Sequence, residues 1–375
     1  MAPKMPQLKL SLPSLGGLTS RFSLPFMARG EALALGLDIG SHAVKACELQ
    51  RSGSGYLLKS LGSALMPPDT IEDGALVEPA AVAGVIGNLL GNLGSRNKKV
   101  AISVSGYSVI VKKINLRVMS SEELEKHLHE EAEQYIPFDI DDVYLDCQDL
   151  HTNTGEDDHT DIMLVAAKKE LVDGYLGMLE DLGLETVVVD VDAFALENAF
   201  EAAGGPDESA VLVDIGASKM NINIVSGGAS ALARDVILGG RQLTEQIQRA
   251  LDISFEEAEE IKLGLTPAPE NARQRVEKIV LEACRQWSAE IKRALDFHQT
   301  TSPEQAVERI VLSGGGANIA GLADLFSQEN NLPTTIFNPF ARAVVDQKRI
   351  DPAYLRAVAP SMAQAAGLAT RLVEF

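Results

Sequence analysis

Asp38 and Asp214 each close an apolar run and are each followed by Ile, Gly and small residues, as Asp38-Ile39-Gly40-Ser41 and Asp214-Ile215-Gly216-Ala217-Ser218. A carboxylate at a strand end can hold a magnesium ion through water, because that ion keeps several of its waters. The adjoining glycine lets a ligand approach backbone N–H donors, and a short hydroxyl adds another donor. The chemistry that suits this set is the grip on a nucleotide phosphate tail and its magnesium. Lys45, on the return run of the first copy, is a candidate phosphate partner. Lys219 and Asn221 stand beyond the turn of the second. Either copy alone also reads as an ordinary β-hairpin turn. The recurrence at domain-sized spacing points to two similar lobes closing on one ligand.

A third segment, Leu312-Ser313-Gly314-Gly315-Gly316-Ala317-Asn318, runs from a strand pattern through three glycines into a helical pattern. Backbone without side chains can lie flat against a base or sugar, and a helix N-terminus favours an anion. Gly314, Gly315, Gly316 and Asn318 are therefore candidate contacts. Glu259 and Lys262 are three apart and share a helix face, which also describes a solvated surface pair. Asp190 and Asp192 are two apart and face one side if the strand continues through both; Asp192 also reads as the cap of the next helix. No residue stands out as a base to position water for hydrolysis. No serine or cysteine nucleophile motif occurs, and Trp287 reads as packed. His127 and His129 have the wrong spacing for a metal pair on a helix.

The elements that must position these residues follow from periodicity. Leu33, Leu35 and Leu37 alternate into Asp38, and Val44–Leu49 returns as a hairpin partner. Tyr56–Leu65, Val100–Val104, Val109–Ile114, Val143–Leu150 and Ile162–Ala167 read as strands. Pro79–Leu93, Ser121 to about Tyr135 and Lys169–Leu182 read as helices, the second opened by a capping box of Ser120 and Glu123. A strand Thr186–Val191 and a helix Ala193–Ala203 precede Gly204-Gly205-Pro206-Asp207, a lobe boundary. The second lobe opens with Ala210–Asp214. Helices Gln242–Leu251, Phe255–Leu263 and about Glu270–Thr300 follow, then a strand Ile310–Ser313, a helix Ile319–Gln328 and a last helix near 360–373. The expected fold is α/β with two lobes: 31–205, carrying an inserted α-β-β-α subdomain at about 116–184, and 206–375, with a helical subdomain at about 240–300.

A chain of 375 residues suffices for two domains with their own cores. Its formal net charge of −20, without a basic patch, argues against nucleic acid as a partner. Three cysteines with no metal-ligand spacing suit a reducing compartment. No run approaches the roughly 20 apolar residues of a membrane span. Residues 1–30 carry only basic charges among scattered prolines and glycines and read as a flexible arm.

The ordered trio of hairpin, hairpin and strand-triglycine-helix resembles the phosphate-1, phosphate-2 and adenosine motifs of the ATPase superfamily that contains actin, heat-shock chaperones and sugar kinases. Asp38-Ile39-Gly40-Ser41-His42-Ala43-Val44-Lys45, the early insertion and Tyr135-Ile136-Pro137-Phe138-Asp139 are similar to the FtsA-like branch, and within it to the PilM family of type IV pilus assembly proteins. The resemblance covers about Glu31 to the C-terminus. It implies ATP and magnesium as cofactors. Asp38, Gly40, Ser41 and Lys45 would hold the tail from the first lobe, and Asp214, Gly216, Ala217, Ser218 and Lys219 from the second. Glu259 and Lys262 would flank the adenosine with the triglycine turn. Asp38, Asp190 and Asp214 would act on the metal through water. It further implies a cytoplasmic adaptor of the pilus inner-membrane platform, peripheral to the membrane through its partner. That partner is the N-terminal peptide of a PilN-like membrane protein, received around Val100–Ile114 and Glu130–Phe138. A small-molecule kinase and an FtsA-like filament protein are the alternatives. His42 stands where the family has a small residue; it reads as an exposed turn histidine, with phosphate contact as the other reading.

Overall fold

The computed structural model describes residues 33–53, 55–150, 158–205, 208–303 and 305–373. The arm 1–30 and the start of the polar loop after Leu150 lie outside these. Two sheets form the framework. Leu35–Ile39 pairs antiparallel with Ala43–Ser52 and parallel with Lys99–Val104. Ala210–Ile215 pairs antiparallel with Met220–Ser226 and parallel with Arg309–Ser313. Each sheet continues outward the same way. Gly55–Leu65 and Ala229–Val236 extend the antiparallel side, and Val344–Val345 adds a short edge strand beyond Gly55–Leu65; Glu185–Val191 and Thr334–Ile336 complete the parallel side. The repeated phrase in the sequence is therefore one supersecondary unit used twice, and both aspartates sit at the same corner of it.

Helices follow local chemistry. Pro79–Leu93 starts on a proline and stops at Gly94, whose φ of 63° is left-handed backbone that glycine adopts without strain. It buries Val82, Ile86 and Leu89 against the first sheet. The capping box at Ser120 forms: the Ser120 N–H donates to Glu123 Oε2 at 2.8 Å, and the Glu123 N–H to Ser120 Oγ at 3.3 Å. A second such box, Ser254 with Glu257, opens the helix Phe255–Lys262.

The inserted element differs from its expected outline. Its three-stranded sheet takes Val109–Arg117 as an edge strand, followed by the helix Ser121–Glu131 and the strands Val143–Asp149 and His159–Lys168. Val109–Ile114 thus belongs to the inserted sheet, which starts earlier than the expected bound of about 116. The helix Lys169–Asp181 packs instead into the first lobe, burying Leu171, Val172, Tyr175, Met178 and Leu179 there.

The last helix also departs from expectation. A 3₁₀ turn Ala359–Met362 leads into a short helix Ala363–Leu368, and the chain beyond is not helical. Arg371 forms a buried ion pair with Asp190 at 2.9 Å and Leu372 bridges to Leu33, which an onward helix would forbid. The helix Asp192–Ala202 packs on Ala363–Leu368 between the two sheets and shares apolar cores with both lobes.

Candidate functional site

Between the lobes lies a cleft of about 580 Å³, a size that holds a small ligand. The candidates that line it are Asp38, Gly40, Ser41 and Lys45 from the first hairpin and Asp214, Gly216, Ala217, Ser218 and Lys219 from the second. Glu259, Lys262, Gly315, Gly316 and Asn318 complete the set. The two turns meet at their tips, with Ser41 Oγ 3.0 Å from Ser218 Oγ. Strand register explains the first grip. Asp38 and Lys45 are cross-strand partners, and Lys45 Nζ donates to Asp38 Oδ2 at 2.8 Å. Burial opposes the charge on Lys45, but Asp38 outweighs it and holds the ammonium above the ordinary lysine range.

Asp190 and Asp192 part company. The strand ends at Val191 and Asp192 is the first residue of a helix, so the alternation that would align them breaks. Asp190 turns into the protein against Arg371 and does not line the cleft, which removes it from the metal candidates. Asp192 faces the cleft. It accepts hydrogen bonds from Ser103 Oγ at 2.6 Å and Ser105 Oγ at 2.5 Å. Lys219 reaches it from the opposite lobe at 2.9 Å. Asp192 is therefore no helix cap. Burial works against its charge, yet Lys219 and both hydroxyls hold it below the ordinary carboxylate range. The sequence reading did not single out Ser103 and Ser105; they stand two apart at the end of the strand Lys99–Val104, Ser105 just beyond it, and that spacing is the available signal.

Asp214 has no such cation. Ser313 Oγ donates to its Oδ2 at 2.8 Å, and its cross-strand partner is Asn221, where the first hairpin has lysine. Burial pushes its carboxyl up to about 6, against the pull of Lys45 and with Asp38 and Asp192 adding to the rise. Among the described residues no three His, Cys, Asp or Glu side chains converge as a ready metal cage. A half-buried carboxylate without an ion-pair partner, beside an open cleft, fits a hydrated magnesium ion accompanied by phosphate, the way this ion is usually bound.

The second-lobe wall is built by the helices Gly240–Leu251 and Phe255–Lys262. Lys262 Nζ lies 2.6 Å from Glu259 Oε2 and 3.0 Å from Thr244 Oγ1, and Thr244 donates to Glu259 at 2.5 Å. Lys262 is buried, so this is not a solvated pair, and desolvation lowers its ammonium below the ordinary range despite Glu259. In the triglycine turn the helix does not begin at once. A 3₁₀ turn Gly315–Asn318 intervenes, and the helix runs Leu322–Asn330. Gly314 does not reach the cleft. Its φ of 81° and its contact with the Ile215 backbone make it a turn glycine that presses the triglycine segment onto the second hairpin. His42 is half-buried in the cleft, not exposed on a turn.

The model of the family described as "Type IV pilus assembly protein PilM" matches residues 36–373. The chain belongs to the PilM family. A solved "PilM-PilN type IV pilus biogenesis complex" contains a chain 33% identical to this one. The match covers 92% of this chain and 100% of that one at a TM-score of 0.81. Cell division protein FtsA of Bacillus subtilis is 26% identical over 191 residues, 49% of this chain. That match spans only 42% of the FtsA length. MreB5 of Spiroplasma citri, solved with ADP, is 13% identical over 90% of this chain and 94% of its own, with a TM-score of 0.51. Its likeness extends to the fold. The PilM-family chain thus has the two-lobed actin-like ATPase fold. Among the described residues no helix is long and apolar enough to cross a membrane.

Proposed function

We propose that this chain is an ATP-binding cytoplasmic adaptor of the type IV pilus inner-membrane platform, which receives the cytoplasmic N-terminal peptide of a PilN-like membrane protein. The observation that carries this reading is the match over nearly the whole chain to PilM in its complex with PilN. The cleft supports the nucleotide half. Gly40, Ser41, Lys45, Gly216, Ala217, Ser218 and Lys219 would hold the phosphates, and Glu259, Lys262, Gly315, Gly316 and Asn318 the adenosine. Asp38 and Asp214 would face magnesium through water. When bound, Mg-ATP would supply phosphate charge and a cation where the two hairpins face each other, beside the apolar seam that already joins the lobes. No residue of the cleft stands out as a water-positioning base, so the nucleotide serves here to fix the lobe arrangement.

The insert supports the peptide half. Val109–Arg117 is an edge strand, the kind of surface that takes an added strand. Lys112 Nζ donates to the Tyr135 carbonyl at 3.3 Å, so the two segments named for docking adjoin. Val100–Val104 is flanked on both sides within the main sheet, so it offers no free edge for an added strand and would meet a peptide only through side chains. Val109–Arg117 also packs against Ala229–Val236 of the second lobe, which gives a peptide there a reason to favour one lobe arrangement.

Calorimetric titration with a synthetic PilN-like N-terminal peptide, with and without Mg-ATP, tests both halves. The expected result is saturable binding of each ligand. Absence of peptide binding in every nucleotide state overturns the adaptor reading, and absence of Mg-ATP binding overturns the assignment of the cleft.

A further inference from the structure

His42 sits at the tip of the first hairpin, one residue beyond the Ser41–Ser218 contact. Its backbone carbonyl accepts from the Met66 N–H at 2.8 Å, which ties the turn to the end of Gly55–Leu65 and fixes the ring's root. The ring is half-buried in the cleft and forms no hydrogen bond among the described residues. The charges that face it come from both lobes: Lys45 from its own hairpin, and Glu259, Lys262 and Arg241 from across the cleft. Arg241 is itself drawn across the lobe boundary to Asp69 at 3.3 Å. The imidazole therefore stands between the phosphate-side group, Gly40, Ser41 and Lys45, and the adenosine-side group, Glu259 and Lys262.

Resting on the nucleotide reading above, we propose that His42 is a further nucleotide-contacting residue, reaching from the first lobe to the phosphate chain near its junction with the sugar. The argument is one of supply and demand. The imidazole has no hydrogen-bond partner among the described residues, and one carboxylate and three cations face it, so an arriving anion offers it an acceptor. In the ligand-free protein desolvation holds the ring below its ordinary value; the carboxylate of Glu259 raises it, while Lys262, Lys45 and Arg241 lower it further. A polyphosphate placed among these groups reverses the balance, and the ring takes up a proton as the ligand binds. Nucleotide affinity then carries a histidine contribution that strengthens as pH falls from neutrality.

The test is isothermal titration of Mg-ATP into the full chain at about pH 6.5, in two buffers of different ionisation enthalpy, for wild type, His42→Ala and His42→Gln. Asp214 would release a proton on meeting magnesium, so the reading is the difference between wild type and variant, in which that release cancels. Expected are a net proton uptake in wild type relative to both variants and an affinity loss of about tenfold in His42→Ala. The loss should be smaller in His42→Gln, which keeps a donor, and melting temperatures should be unchanged. Equal affinity and equal proton counts in all three proteins overturn the role of His42 while leaving the nucleotide cleft standing. A wild type that does not bind Mg-ATP overturns the cleft assignment itself.

Discussion

Asp38, Asp192 and Asp214 are among the aspartates that face the cleft, and their partners assign them different work. Asp38 and Asp192 each meet a lysine, whereas Asp214 meets a serine hydroxyl and an asparagine. The unmatched negative charge is at Asp214, and that is where a magnesium ion relieves most. Its carboxyl, raised to about 6 by burial, binds protons more tightly folded than unfolded. Stability from this group is complete below the ordinary carboxylate range and falls as pH rises toward 6. Asp214→Asn should therefore stabilise the ligand-free protein at pH 8 by about 2 kcal/mol, a gain that fades at pH 5, while abolishing Mg-ATP retention. Urea melts at both pH values and mass spectrometry of the native protein check the two halves. Lys219 makes the converse case. Removing its ammonium leaves Asp192 charged and enclosed, so Lys219→Met should destabilise by about 3 kcal/mol. Asp192→Asn in the same chain should restore most of that loss, and a double-mutant cycle by urea denaturation measures it. No restoration would mean that the pair contributes little.

The elements hold these side chains through close backbone contact as much as through apolar packing. Gly367 lets Ala363–Leu368 lie against Asp192–Ala202: a Cβ there would collide with the Ala195 carbonyl. Gly367→Ala should cost about 2 kcal/mol or more and loosen the helix that presents Asp192, with a lower melting temperature and weaker nucleotide binding together. Full stability in this variant would show that the two helices can separate without consequence. Much of this level was legible. Both hairpins, the helix Pro79–Leu93 and the Ser120 box carry local signals that their surroundings do not override. What escaped depends on partners distant in sequence. Asp190 is turned inward by Arg371 from the far end of the chain, and the strand's end at Val191 sets Asp192 apart from it. Ala229–Val236 hides because it mixes buried Ser230 with half-buried Leu232 and exposed Arg234, and it brings half-buried Asp235 to Asn221. The short strands Thr334–Ile336 and Val344–Val345 are edge pairings, too brief for any period to mark.

At the scale of the whole molecule, the lobes are joined by a helix that serves both. Asp192–Ala202 leaves the cleft at Asp192, buries Ala193 and Phe194 in the first lobe, and packs Leu196, Ala199 and Phe200 with Ala210, Leu212 and Val225 of the second. Asn223 of the second lobe donates to the Ala193 carbonyl at 2.9 Å and is itself held by Ser230 at 2.6 Å. Within this seam lies Glu197, 1% exposed, its carboxylate near the Asn223 side chain and the Ser230 N–H. Desolvation, with Glu201 and Asp190 nearby, pushes its carboxyl up to about 8 against the Asn223 and Ser230 hydrogen bonds, which favours the protonated acid at neutral pH. The unfolded chain ionises this group near 4.5, and the folded one near 8. Between those limits the native state carries the extra proton, and stability falls as pH rises across the window. Glu197→Gln, which keeps the shape and removes the ionisation, should flatten the slope of unfolding free energy between about pH 5 and pH 8. It should also leave the variant more stable than wild type at the alkaline end. The same variant should hold the lobes together more firmly in base, slowing the release of bound nucleotide at pH 8.5 relative to wild type. Urea denaturation across that range and a stopped-flow chase with unlabelled ATP measure the two effects. An unaltered slope would mean that Glu197 finds water in the folded protein, and that the seam between the lobes opens more readily than its packing implies.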